Sequence, residues 1–146
     1  MKHLTLELAA RIVDAALDHA TTLKLNPLSV AALDAGGHLV AFKRQDRSGI
    51  LRAEIAQGKA WGALGMGLGG RALRERAEKA PAFFTALASV SQGRMVPVPG
   101  GVLIKDADGE IIGAVGISGD HPEHDEACAV RGIELAGLVA DPGLPG

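Results

Sequence analysis

Gly100-Gly101-Val102-Leu103-Ile104-Lys105-Asp106-Ala107-Asp108-Gly109-Glu110-Ile111-Ile112-Gly113-Ala114-Val115-Gly116-Ile117-Ser118-Gly119 is the stretch that decides the fold. Two apolar runs, Val102–Lys105 and Glu110–Ser118, flank Asp106-Ala107-Asp108-Gly109, a turn sequence in which the aspartates and the glycine supply the conformations a tight reversal needs. Such a pair predicts a hairpin and hence antiparallel neighbours. The same pattern occurs upstream, where Leu28–Leu33 and His38–Phe42 flank Asp34-Ala35-Gly36-Gly37. Two hairpins in place of strand–helix–strand crossovers argue for an antiparallel sheet.

Helical spacing surrounds the hairpins. Ala9, Ile12, Val13, Ala16, Leu17 and Ala20 form one apolar face behind Thr5, a residue suited to N-capping, and the helix ends before Asn26-Pro27. Ile50–Met66 repeats the spacing with Ala56, Ala60, Ala63 and Gly67 on a narrow face that another backbone can approach. Leu73–Lys79 predicts a charged turn of helix, and Pro81–Val90 a short apolar one. Pro122–Val139 closes the pattern, with Asp120 and Glu123 spaced as a capping box. Met95–Pro99, which two prolines confine to β or polyproline geometry, is expected extended at a sheet edge. The fold class is therefore α+β, an antiparallel sheet of about five strands flanked by helices, PAS-like or profilin-like. Residues 1–140 are expected as one domain and 141–146 as a short frayed tail.

Composition narrows the function. With 146 residues, 47% hydrophobic content and only 3% aromatics, the core must be filled by Ala, Val, Ile and Leu. A net charge of −2 and so few aromatic platforms predict no nucleic-acid partner. No run approaches a membrane span and Met1-Lys2-His3-Leu4 does not open a signal peptide, so no membrane partner is expected. Cys128 is alone and cannot form an internal disulfide, which fits a cytoplasmic location.

Chemistry-bearing residues gather late in the chain. His121, His124 and Cys128 are spaced three and four apart, a stripe suited to zinc, iron or haem iron if the last helix begins early. A solvated helix start with Cys128 in the core is the other reading. His19, at the edge of the first helical stripe, is a further candidate ligand, and His38 reads as a hairpin-end residue. Gly116 and Gly119 near a strand end, like Gly100 and Gly101, signal close backbone approach by a ligand or by another segment. Lys59, with Arg52 on its flank and Arg44 in the preceding loop, could hold a carboxylate. The Gly65–Gly70 segment followed by Arg71, Arg74 and Arg76 follows a helix and lacks the Gly-Lys-Ser/Thr close, so it is no phosphate loop.

Val30–Val40, Gly58-Lys59-Ala60, Pro97–Val102, Asp108-Gly109-Glu110, Gly113–Gly119 and Asp125–Ala129 together resemble the GlcG/HbpS-type family of haem-binding or haem-degrading domains, to which the C-terminal module of PduO-type corrinoid proteins is related. The resemblance runs from the first helix to about Val139. It implies a compact domain in a symmetric homo-oligomer that binds a small ligand, with haem as the cofactor, for sensing, storage or slow degradation. It also leans Lys59 towards a functional role, and it links Glu-x-x-Glu spacings, here Glu75/Glu78 and Glu123/Glu126, with iron. The alternative is an enzyme acting on an organic acid, with Lys59, Asp125 and Glu126 at a subunit-interface pocket. Whether the chain is an enzyme stays open at this point.

Overall fold

The computed structural model describes residues 3–144; Met1, Lys2, Pro145 and Gly146, with the readings that fall on them, lie outside the described residues. Helix α1 (Leu6–Leu23) leads into strands β1 (Ser29–Asp34) and β2 (Leu39–Arg44), followed by α2 (Arg52–Met66), α3 (Gly70–Lys79) and α4 (Pro81–Val90). The second hairpin is β3 (Gly101–Lys105) and β4 (Ile111–Ser118), after which come α5 (Pro122–Leu135) and β5 (Val139–Asp141). The five strands form one sheet in the order β2-β1-β4-β3-β5, every pairing antiparallel. The α+β class and the strand number read from the sequence are those observed.

Strand alternation sorts the core into two layers. Val30, Ala32, Val102, Ile104, Val115 and Ile117 face α1 and α5, where they meet Ile12, Val13, Ala16, Cys128, Ala129 and Ile133. Ala31, Leu33, Leu103 and Ala114 face α2 and meet Ala56, Ala60 and Ala63. The second layer is thin because small residues line both sides. A Cβ on Gly116 would lie 1.8 Å from the Ala56 carbonyl oxygen, and one on Gly101 2.4 Å from that of Lys59. Thr5 caps α1 as its sequence predicts, its Oγ1 accepting from the Leu8 amide at 3.1 Å.

Three sequence expectations are corrected. Met95–Pro99 does not lie at the sheet edge; it crosses the outer side of α2, where the Val96 amide donates to the Gly58 carbonyl at 3.2 Å. Pro97 and Pro99 lack the N–H groups that a sheet position needs, and the side-chain-free surfaces of Gly58 and Gly62 receive Arg94, Met95 and Val96 instead. The fifth strand is Val139–Asp141, paired with β3. It is reached because α5 stops at Leu135 and Gly137, at φ 81°, turns the chain back. Asp141, expected to start a frayed tail, is therefore in the sheet, and its carboxylate meets Lys105 Nζ at 2.7 Å.

The capping box is the third correction. His121 is the N-cap residue of α5 and its side chain makes no capping bond. Asp125 reaches back in Glu123's place, its Oδ1 accepting from the Asp120 amide at 3.1 Å, while Glu123 turns to Arg74.

Candidate functional site

The corner where β4 ends and α5 begins collects most of the residues singled out by sequence. Lys59 enters it from α2. Its side chain is enclosed, and its ammonium donates to the Ile117 carbonyl at 2.8 Å and to Asp125 Oδ2 at 3.2 Å. The glycine pair makes this possible: a Cβ on Gly100 would sit 2.7 Å from Lys59 Nζ. The close approach expected at Gly100, Gly101, Gly116 and Gly119 is thus made by other segments of the chain, Lys59 and Ala56 of α2 and the Pro27–Leu28 backbone.

Side-chain exposure is 4% for Lys59 and 1% for Asp125. Burial pushes the Asp125 carboxyl up and the Lys59 ammonium down, and their mutual attraction opposes both shifts. The pair joins α2 to the start of α5 across the end of the sheet.

From Asp125 the polar contacts continue outward. Asp120 Oδ2 accepts from the Asn26 amide at 2.9 Å, and its Oδ1 accepts from the His121 amide at 2.8 Å and lies 2.6 Å from His124 Nδ1. The Asn26 amide first, then His124 and the His121 amide, hold the Asp120 carboxyl down to about 2. His124 is thus engaged through Nδ1, and its side chain is half exposed. The His121 and His124 rings meet edge to face at 5.5 Å, both exposed. Cys128 is not with them: it is fully buried in the core beside α1, and burial pushes its thiol up to about 12. Among the described residues no three His, Cys, Asp or Glu side chains form a group that could hold a metal ion.

Arg52 and Arg44 reach the same corner from its other side. Arg52 Nη1 donates to Ser118 Oγ at 3.0 Å, Arg44 Nη1 donates to the Ser48 carbonyl, and Ser48 Oγ meets Ser29 Oγ at 2.9 Å. Pairing of Ser29 with both Arg44 and Ser118 across the sheet brings these groups together.

Glu126 faces away from the corner and is held in two-point contact by Arg71, with Nε to Oε1 at 3.1 Å and Nη2 to Oε2 at 2.6 Å. Glu123 is held by Arg74 at 3.1 Å. The Glu123/Glu126 pair is thus taken up by α3, while Glu75 and Glu78 are exposed. Arg71 had no sequence signal beyond its place in a basic connector, because its partner lies 55 residues away.

His19 belongs to a separate place. It is half-buried on the wall of a cavity of about 450 Å³ between α1, α5 and the end of the chain, whose lining includes Glu126, Ala127, Val130, Arg131, Glu134, Ala140 and Leu144. Arg131 escaped the sequence reading, since nothing in its spacing separates it from any exposed helical arginine.

The chain is a small α+β domain with a thin α2 layer, a buried Lys–Asp corner and a cavity with His19 on its wall, and comparison assigns its family. A family profile described as "Haem degrading protein HbpS-like" matches residues 4–134, and the chain belongs to that family. It is 28% identical over 131 residues to an uncharacterized 15.0 kDa protein in the dhaT-dhaS intergenic region of Citrobacter freundii, covering 89% of this chain and 91% of that one. Among solved structures, a PduOC:haem complex is similar with a TM-score of 0.84 and 28% identity, over 94% of this chain and 97% of the other. Streptomyces reticuli HbpS, solved as a double mutant, gives a TM-score of 0.80 and 26% identity, over 92% and 88%.

Proposed function

We propose that the chain is a haem- or tetrapyrrole-binding domain that works as a homo-oligomer in the cytoplasm, in sensing, storing or slowly degrading its ligand. The observation that carries this reading is the half-buried His19 on the wall of the α1–α5 cavity. Haem iron needs only an axial ligand from the protein, because the macrocycle supplies its other nitrogens. One imidazole beside Ala127, Val130, Ala140 and Leu144 suits that need better than it suits a bare ion. Arg131 on the same wall is placed to meet a propionate. When bound, the group would supply iron redox chemistry. The chain's own part is to offer the imidazole, the apolar side chains of that wall and the Arg131 cation, with Glu126 and Glu134 at its edge. The family profile, named for haem degradation, and one similar structure, a haem complex, support the reading by description.

The oligomer rests on a different observation. α4 is rich in apolar side chains, Phe83, Phe84, Leu87 and Val90, yet none of its residues is buried. Ile50 is 93% exposed and Val90 78%. Apolar surface on this scale is normally covered by another subunit.

Titration with hemin tests the ligand. Micromolar hemin is expected to give a shifted Soret band, with affinity weakened by about tenfold or more in His19→Ala and unchanged in the His121→Ala/His124→Ala variant. A shift lost only in the latter variant would move the ligand role to the His121/His124 pair. The absence of any shift would contradict haem binding. The organic-acid reading has no observation in its favour at Lys59 and Asp125, which are enclosed and occupied with each other.

A further inference from the structure

A second cavity, of about 340 Å³, lies on the outer side of α2, away from His19 and from the β4–α5 corner. Its volume falls at the small end of ligand sites, which run from roughly 300 to 1,000 Å³. One wall is α2, with Glu54, Gln57 and Trp61; the other is the chain after α4, with Gln92 and Arg94. The Arg94 guanidinium lies over the Trp61 ring, 4.0 Å from its centroid. Stacking occupies the flat face of the guanidinium and leaves its N–H donors, which point outward in the plane, free for a carboxylate.

Among the described residues no hydrogen bond or ion pair engages the side chains of Arg94, Glu54 or Gln92. Gln57 spends one amide hydrogen on the Ala53 carbonyl, at 3.3 Å. The cleft therefore presents an unpaired cation and an unpaired carboxylate that do not neutralise each other. Gln92 adopts a left-handed conformation at φ 55°, as does Gly93 at φ 75°. These two residues end α4, the Gly93 amide donating to the Ala88 carbonyl at 2.8 Å, and turn the chain towards α2. Gly58 lets the Arg94 backbone seat against α2, since a Cβ there would lie 2.3 Å from the Arg94 carbonyl oxygen.

We propose that this cleft binds a small zwitterion of amino-acid size, with Arg94 holding its carboxylate, Glu54 its ammonium and Trp61 packing against its carbon chain. The site is independent of haem binding. Trp61 is the only tryptophan in the chain, so its emission reports on the cleft directly.

The test titrates the full-length protein with glycine, β-alanine, 4-aminobutyrate and 5-aminovalerate, and with acetate, butyrate and butylamine as matched single-charge controls. Trp61 emission is read first and calorimetry second, because removing Arg94 alters the emission by itself. At least one amino acid should bind saturably at about millimolar concentration or below, with its matched controls weaker by about tenfold or more, the scale of losing one charge-assisted hydrogen bond. Arg94→Gln and Glu54→Gln should each weaken it by a similar factor. No saturable binding, equal binding of the matched carboxylate, or binding that survives Arg94→Gln would overturn the proposal. So would a change of native mass in Arg94→Gln without ligand, which would make the cleft a subunit contact.

Discussion

Lys59 shows how much a single residue can depend on its surroundings. In sequence it is one lysine on an alanine-lined helix. In the structure it lies behind Gly100 and Gly101 and ends on Ile117 and Asp125, where solvent cannot reach it. A buried ion pair contributes little net stability, but breaking one leaves a charge without a partner. Lys59→Met should therefore destabilise the protein by about 3–5 kcal/mol, because Asp125 would retain only the Asp120 amide. The double variant Lys59→Met/Asp125→Asn should recover at least about 1 kcal/mol of that loss, since no buried charge remains. Urea unfolding of the two singles and the double reads the coupling. Additive losses would show that the pair does not act as a unit.

At the scale of elements, the decisive contact is α2 against β3 and β4, and glycine sets its distance. Gly116→Ala would place a methyl against the Ala56 carbonyl oxygen, so α2 must move outward or the sheet must bend. A loss of at least about 1–3 kcal/mol is expected in thermal or urea unfolding. A neutral substitution would mean that the α2 layer is looser than its geometry indicates. Much of this architecture was legible in advance. The hairpins announced themselves through Asp34–Gly37 and Asp106–Gly109, and α1 through its apolar spacing and Thr5. What was not legible depended on contacts distant in sequence. Val139-Ala140-Asp141 is too short to carry a strand pattern and is a strand only because the edge of β3 is there to receive it. Met95–Pro99 has the look of an edge strand, but two buried glycines on α2 give it a different seat. The candidate residues divide in the same way: Lys59 and Asp125 could be singled out by type, their pairing could not, and the Arg71–Glu126 and Arg94–Trp61 contacts left no local trace.

The whole molecule puts two kinds of surface on one small sheet. One side carries the His19 cavity between α1 and α5; the other carries α2, the zwitterion cleft and the uncovered α4. The His19 cavity is thus apart from α4, whereas the α2 cleft adjoins it. In the proposed homo-oligomer the exposed apolar side chains of α4 and Ile50 would supply the subunit contact.

The most direct test of the haem-binding account is a native mass spectrum of the protein after incubation with excess hemin and removal of the unbound pigment. The account predicts a multiple of the 14.9 kDa chain carrying hemin in a fixed ratio, and loss of that hemin in His19→Ala. A single chain free of hemin would contradict it.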